Sequence, residues 1–159
     1  MNIFCLDNNI VKCARYHSDA HVIKMILESA QILCTSLIMH GAAAPYKPTH
    51  QKHPCVIWAS KSAQNWLWLK NLTLELDKEY CYRWNKNKSH KSAILVEELS
   101  IVESMENIGI TERPQAMPEK YKIKNDPVLA YRQYYSKEKA HLCKYTKRET
   151  PPWLEDSKC

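Results

Sequence analysis

His21, Lys24, Glu28, Gln31 and Thr35 recur at steps of three and four in the stretch SDAHVIKMILESAQILCTSLIM, residues 18–39. At about 100° per residue these five side chains fall within an arc of roughly 80° on a helix, with His17 one turn upstream on the same line. A carboxylate beside an amine is the pairing that Schiff-base and elimination chemistry needs. The amine is the nucleophile, and the carboxylate stabilises a cationic intermediate or moves protons. In that reading Glu28 is the acid/base, Lys24 a candidate amine and His21 a second acid/base one turn away. The alternative is a solvated strip, in which Lys24 and Glu28 form an i,i+4 pair worth a few tenths of a kcal/mol. Buried, the same pair costs several kcal/mol per ion and stabilises poorly. Perturbed ionisable groups cluster at functional sites, which favours a cleft.

Two further patterns carry chemistry. Cys13, His17 and His21 are spaced by four, and His50-x-x-His53-x-Cys55 is compact, but neither matches a zinc-site spacing, so no metal and no cofactor is expected. Tyr82-Arg83-Trp84-Asn-Lys86-Asn-Lys88-Ser-His90-Lys91 and Tyr131-Arg132-Gln-Tyr134-Tyr135-Ser-Lys137-Glu-Lys139 interleave basic residues with aromatic ones. Cations suit phosphates and rings suit base stacking, so both segments are candidate nucleic-acid contacts. The competing reading makes the rings core anchors and the charges a solvated face.

The elements that must position these residues read as helices. The polar line occupies a narrow part of a helix that is otherwise Val, Ile, Met, Leu and Ala, the reverse of an ordinary surface helix. Residues 18–39 are therefore predicted to be central and mostly enclosed, capped by Ser18 or Asp19 and closed by Gly41. Residues 2–6 form an extended apolar start, and 9–15 a short helix. Residues 42–53 are a loop. Pro54 opens a helix that re-caps at Ser62 and runs to Arg83, and 83–91 is a basic turn. A helix follows at 92–104, then an irregular stretch at 107–124, then a helix from Asp126-Pro127 to about Ala140. The expectation is a mainly α fold: a single compact helical domain over 1–145, with an extended N-terminus and a C-terminal tail, 146–159, pinned by Trp153.

Composition agrees. The 159 residues suffice for one domain, and two glycines, Gly41 and Gly109, argue against tight hairpins and Gly-rich phosphate loops. The formal net charge of +6 is compatible with a polyanionic partner. No apolar run reaches membrane-spanning length without charge, and no secretory signal is apparent. Seven scattered cysteines without a CxxC suggest a reduced, intracellular chain, in the host cytoplasm if it is viral.

The strings DAHVIKMILESAQILCT, YKPTHQKHPCVIWA, QAMPEKYK and AYRQYY resemble a group of proteins encoded by phages and large DNA viruses. More distantly, the layout resembles the pyrimidine-dimer DNA glycosylase family, the phage-type endonuclease V. Asp19-x-His21 matches that family's DQH element, Glu28 its catalytic glutamate, His53-Pro54 an HP element and Tyr134-Tyr135 its paired tyrosines. The resemblance implies attack of an N-terminal α-amine on a sugar C1′, with the glutamate supporting the imine and β-elimination. Leu27 and Gln31 stand where that family has arginines, and Asn2 leaves Met1 in place of an exposed N-terminal Thr. The amine is then Met1's own or that of Lys24.

The resulting expectation is a monomeric DNA-binding protein acting as a base-excision glycosylase/lyase, with Glu28, Lys24, His21 and Met1 catalytic. Gln31 and His21 orient an extruded nucleotide. His53, Lys47, Lys52, Arg83, Lys88, Lys91, Arg132, Tyr134, Tyr135 and Lys139 are candidate substrate contacts. The alternatives are a non-catalytic nucleic-acid or protein-interaction module, and an enzyme acting on a free nucleotide.

Overall fold

The long apolar stretch near the N-terminus folds as predicted. In the computed structural model, which describes residues 1–155, it forms helix α2, Asp19–Met39. Val22, Ile26, Ala30, Ile32, Leu33 and Cys34 are buried along it, because almost every direction around the helix meets another element. Its start is held by the tertiary fold: the Ser18 backbone N–H donates to the Tyr135 hydroxyl at 2.7 Å. Gly41 follows the helix with φ +82°, a left-handed conformation that costs glycine little. By length and composition α2 is the one helix among the described residues that could cross a membrane, yet 61% of that window is buried against the rest of the chain.

The other helices wrap around α2. They are α1 (Ile10–Tyr16), α3 (Pro54–Lys61), α4 (Ala63–Arg83), α5 (Lys91–Glu98), α6 (Pro127–Glu138) and the short α7 (Pro152–Glu155); no strand occurs among the described residues. Side-chain caps mark the starts that the sequence signalled. Asn9 accepts from Lys12 N–H, Ser62 from Gln64 N–H and Asp126 from Leu129 N–H. Helix α4 runs antiparallel to α2. The Trp66 indole donates to the Leu33 carbonyl near one end, and Arg83 meets Asp19 at the other. Trp66, Leu69, Leu72 and Leu76 fill the seam between them.

One element departs from expectation. Helix α5 ends at Glu98 and does not reach 104. Leu99 and Met105 are both buried, and six residues apart they would stand about 120° apart on a continued helix. The chain turns extended at Leu99 and the Lys70 ammonium takes the carbonyls of Glu97 and Leu99. The expected tail is docked along its described length. Thr146 binds Asp19, Arg148 binds Glu79, Trp153 packs on Tyr16 and Tyr135, and Leu154 is buried. Residues 156–159, the remainder of that tail together with Cys159, lie outside the described residues.

Candidate active site

The polar line on α2 is wet only in its middle. His17 and His21 at one end and Thr35 at the other are buried, whereas Lys24, Glu28 and Gln31 reach water. Thr35 turns its hydroxyl back to the Gln31 carbonyl at 2.8 Å. His17 Nδ1 donates to the Cys13 carbonyl at 2.7 Å, and burial pushes its pKa down to about 3. It packs as a neutral core histidine.

Met1, Asn2, His21, Lys24, Glu28 and Lys139 share one cavity of about 220 Å³, between the N-terminal strip, α2 and the end of α6. Its centre is the Glu28 carboxylate, whose side chain is 13% exposed. One oxygen, Oε2, lies 3.7 Å from the Met1 α-ammonium and accepts the Asn2 N–H at 3.2 Å. The other, Oε1, lies 3.6 Å from Lys24 Nζ, on a side chain that is 65% exposed. Two amines therefore flank one carboxylate, one sheltered and one in water.

The first two residues are held from several sides. Asn2 Nδ2 donates to the Ala116 carbonyl at 3.0 Å, and Asn2 Oδ1 accepts from Ile3 N–H and from the Tyr131 hydroxyl, both at 2.8 Å. Tyr131 is rooted in α6 and also accepts the Ala116 N–H, so the helix and the 114–117 stretch clamp Asn2 together. His53 supports the other side. Its Nδ1 accepts the Cys55 N–H, which leaves the ring proton on Nε2, and the ring hydrogen-bonds to the Met1 backbone carbonyl. Burial first, then the adjacent α-ammonium, lower the His53 pKa, which keeps a third cation away from the amine.

His21 forms the inner wall. Its ring stacks on Phe4 with centroids 4.5 Å apart, and Nδ1 sits 2.8 Å from the Tyr135 hydroxyl. That hydroxyl also accepts from Ser18 N–H, so the ring and the start of α2 share one anchor on α6. Burial, then the nearby Lys139 and Lys24, bring the His21 pKa down to about 4. The residue is a neutral hydrogen-bonding group at pH 7. Lys139 and Tyr134 complete the rim, with the Lys139 ammonium 5.5 Å from the Tyr134 ring centroid.

Several expected substrate contacts lie elsewhere. Arg83 is buried and cannot reach phosphate. Its guanidinium binds Glu79 at 2.9 Å, Asp19 at 3.1 Å and the carbonyls of His17 and Arg15, each at 2.9 Å. Tyr135 is likewise interior. Arg132 is tied to the Leu6 carbonyl and to Asp7, with its guanidinium over the rings of Tyr16 and Trp153. Lys88 and Lys91 line a separate cavity with Tyr80 and Lys86, at the junction of α4 and α5. Gln31 and Lys47 line a recess next along α2, and Lys52 is exposed before α3. Asn2, Phe4 and Ala116 are site residues that sequence reasoning missed, and Tyr131, expected as a nucleic-acid contact, is instead buried with its hydroxyl on Asn2. The string QAMPEKYK, which contains Ala116, was the one available signal for them.

No group of three or more His, Cys, Asp or Glu side chains among the described residues could hold a metal. No disulfide joins the described cysteines, and Cys5, Cys13, Cys34 and Cys55 are buried. Burial raises the Cys5 and Cys55 thiols to about 12 and Cys13 to about 11, so none is a ready nucleophile. No protein-family model matches this chain, and neither a curated protein nor a solved structure does.

Proposed function

We propose that this protein is a DNA glycosylase/AP lyase that works through an imine on the Met1 α-amine, with Glu28 as the acid/base. The observation that carries the reading is the enclosed amine–carboxylate pair, 3.7 Å apart, in a polar cavity whose rim holds Lys24 and Lys139. Its placement next to residues that resemble a glycosylase family adds support. In the reaction the amine nitrogen bonds to C1′ of a deoxyribose and the base leaves with the glycosidic electron pair. The ring opens to an iminium, a base removes a C2′ proton, and the 3′-phosphate departs. Glu28 lies where it would take the proton that the amine must lose and stabilise the iminium charge.

Met1 is favoured over Lys24 as the nucleophile for two reasons. The Met1 amine is sheltered inside the cavity, whereas the Lys24 side chain is 65% exposed. The Met1 amine is also the one that Asn2 and His53 fix in place. The 220 Å³ cavity is smaller than the roughly 300–1,000 Å³ of enclosed small-molecule sites. It suits a sugar presented by an extruded nucleotide better than a whole free nucleotide.

Borohydride reduction during incubation with abasic and damaged duplexes is the decisive test. A covalent protein–DNA adduct that maps to the peptide starting at Met1 supports the reading. Mapping to Lys24 would transfer the nucleophile to that residue. No adduct on any substrate would leave Glu28 as an anchor for the N-terminal strip and the protein as a non-catalytic binding module.

A further inference from the structure

Gln31 continues the polar line of α2 one turn past Glu28, yet it faces a different space. Together with Leu27 it forms one wall of a recess of about 350 Å³, closed on the other side by Tyr46, Lys47, Pro48 and Thr49. The Gln31 side-chain amide has no hydrogen-bond partner among the described residues. The walls are pre-set. The Tyr46 hydroxyl is within 2.9 Å of Ser92 Oγ on α5, and the Thr49 N–H donates to Thr35 Oγ1, which itself binds the Gln31 carbonyl. The loop is thus tied to the same turn of α2 that carries Gln31. Leu27 is 42% exposed there and offers the recess an aliphatic wall.

An aromatic ring, an aliphatic wall, one amide with a donor and an acceptor, and one ammonium at the rim suit a flat heteroaromatic ring joined to a phosphate. The amide can match the edge of a base in the paired donor–acceptor manner of Gln and Asn. Stacking on the tyrosine ring would hold the faces. Glu28 and Gln31 are one turn apart on α2, a rise of about 4.5 Å, so the two spaces open on adjoining stretches of the same helix. We infer that this recess holds the nucleobase of the nucleotide whose sugar lies at Met1 and Glu28, with Gln31 and Tyr46 setting base preference. The identity of the sugar site rests on the glycosylase/lyase reading above; the base recess itself does not.

Two measurements on the whole protein separate them. Titration of a single-stranded oligonucleotide carrying 2-aminopurine should change its emission through stacking, and Tyr46→Ala should abolish most of that change. If wild-type protein leaves the emission unaltered at concentrations that saturate binding, the recess takes no base and the inference falls. For cleavage, Gln31→Ala should lower base release at least tenfold more than it lowers borohydride trapping on an abasic strand, which has no base to read. It should also alter the order of preference among bases. Equal losses in both assays would assign Gln31 a purely structural role and overturn the inference. Should wild type trap nothing, the lyase reading fails, and the 2-aminopurine signal with its loss in Tyr46→Ala still decides the recess. Unchanged circular dichroism melting of both variants excludes misfolding as the cause, since both side chains are partly exposed.

Discussion

Glu28 is the residue on which the chemistry turns, because two ammonium groups and one backbone N–H converge on its two oxygens. Glu28→Gln keeps its size and its acceptor for Asn2 but removes the charge. Cleavage at an abasic site should fall by about 10²–10⁴-fold, the range for general acid–base groups. Stability should drop by only about 1–2 kcal/mol. Lys24 can turn to water, so this is not the several-kcal/mol loss of a fully buried pair. Undiminished cleavage in the variant would remove Glu28 from the mechanism. A second prediction concerns His17 and His21, whose folded-state pKa values lie near 3 and 4, below the ordinary 6.5. The unfolded chain therefore takes up protons first as pH falls. Their stabilising contribution is complete above about 6.5 and is lost on descent towards 4, each adding a slope of up to about 1.4 kcal/mol per pH unit. Urea midpoints measured from pH 7 to 4.5 should fall steadily. A flat profile over that window would mean that the two rings are not held neutral in the fold.

At the scale of elements, the sequence showed the helices and the polar line but not what covers them. A period of 3.6 is local and visible in the spacing of Trp66, Leu69, Leu72 and Leu76. The partner of a given face depends on contacts far apart in sequence. Arg83 illustrates the difference. Among Tyr82, Trp84 and Lys86 it reads as a surface cation, yet its side chain is fully enclosed where α1, α2 and α4 meet. Composition could not separate it from Lys88 or Lys91, because what buries Arg83 is the return of residues 15–19 some 65 positions earlier. The clamp on Asn2 was hidden for the same reason: Ala116 and Tyr131 lie more than 110 residues away. Arg83→Met, which keeps the aliphatic volume, leaves Glu79 with Arg148 and the more distant Arg15, 4.0 Å away, and strips the carbonyls of Arg15 and His17 of their guanidinium donor. Removal of one partner of a buried pair costs about 3–5 kcal/mol, and chemical denaturation should show a loss of that size. A loss under 1 kcal/mol would place Arg83 outside the framework that sets α1 against α2.

Over the whole molecule, the +6 charge acts on a polyanion through the cations that remain free. Arg83, Arg132 and Arg148 are engaged with Glu79, Asp19 and Asp7, and they contribute framework more than field. Lys24 and Lys139 stand at the amine cavity, Lys47 at the neighbouring recess, and Lys86, Lys88 and Lys91 at the junction of α4 and α5. These six lysines occupy three separate places, so a duplex that touches all of them must lie along the molecule, whereas one bound only at the cavity need not reach α5. Salt dependence distinguishes the two cases, since each phosphate contact adds about 0.9 to the slope of log affinity against log salt on duplex DNA. Changing Lys88 and Lys91 together to Ala should flatten that slope by about 2 if the α4–α5 junction is part of the interface. Both side chains are exposed, so melting should move little. An unchanged slope would confine the DNA contact to the face around Glu28, where the same double substitution at Lys24 and Lys139 should then account for it.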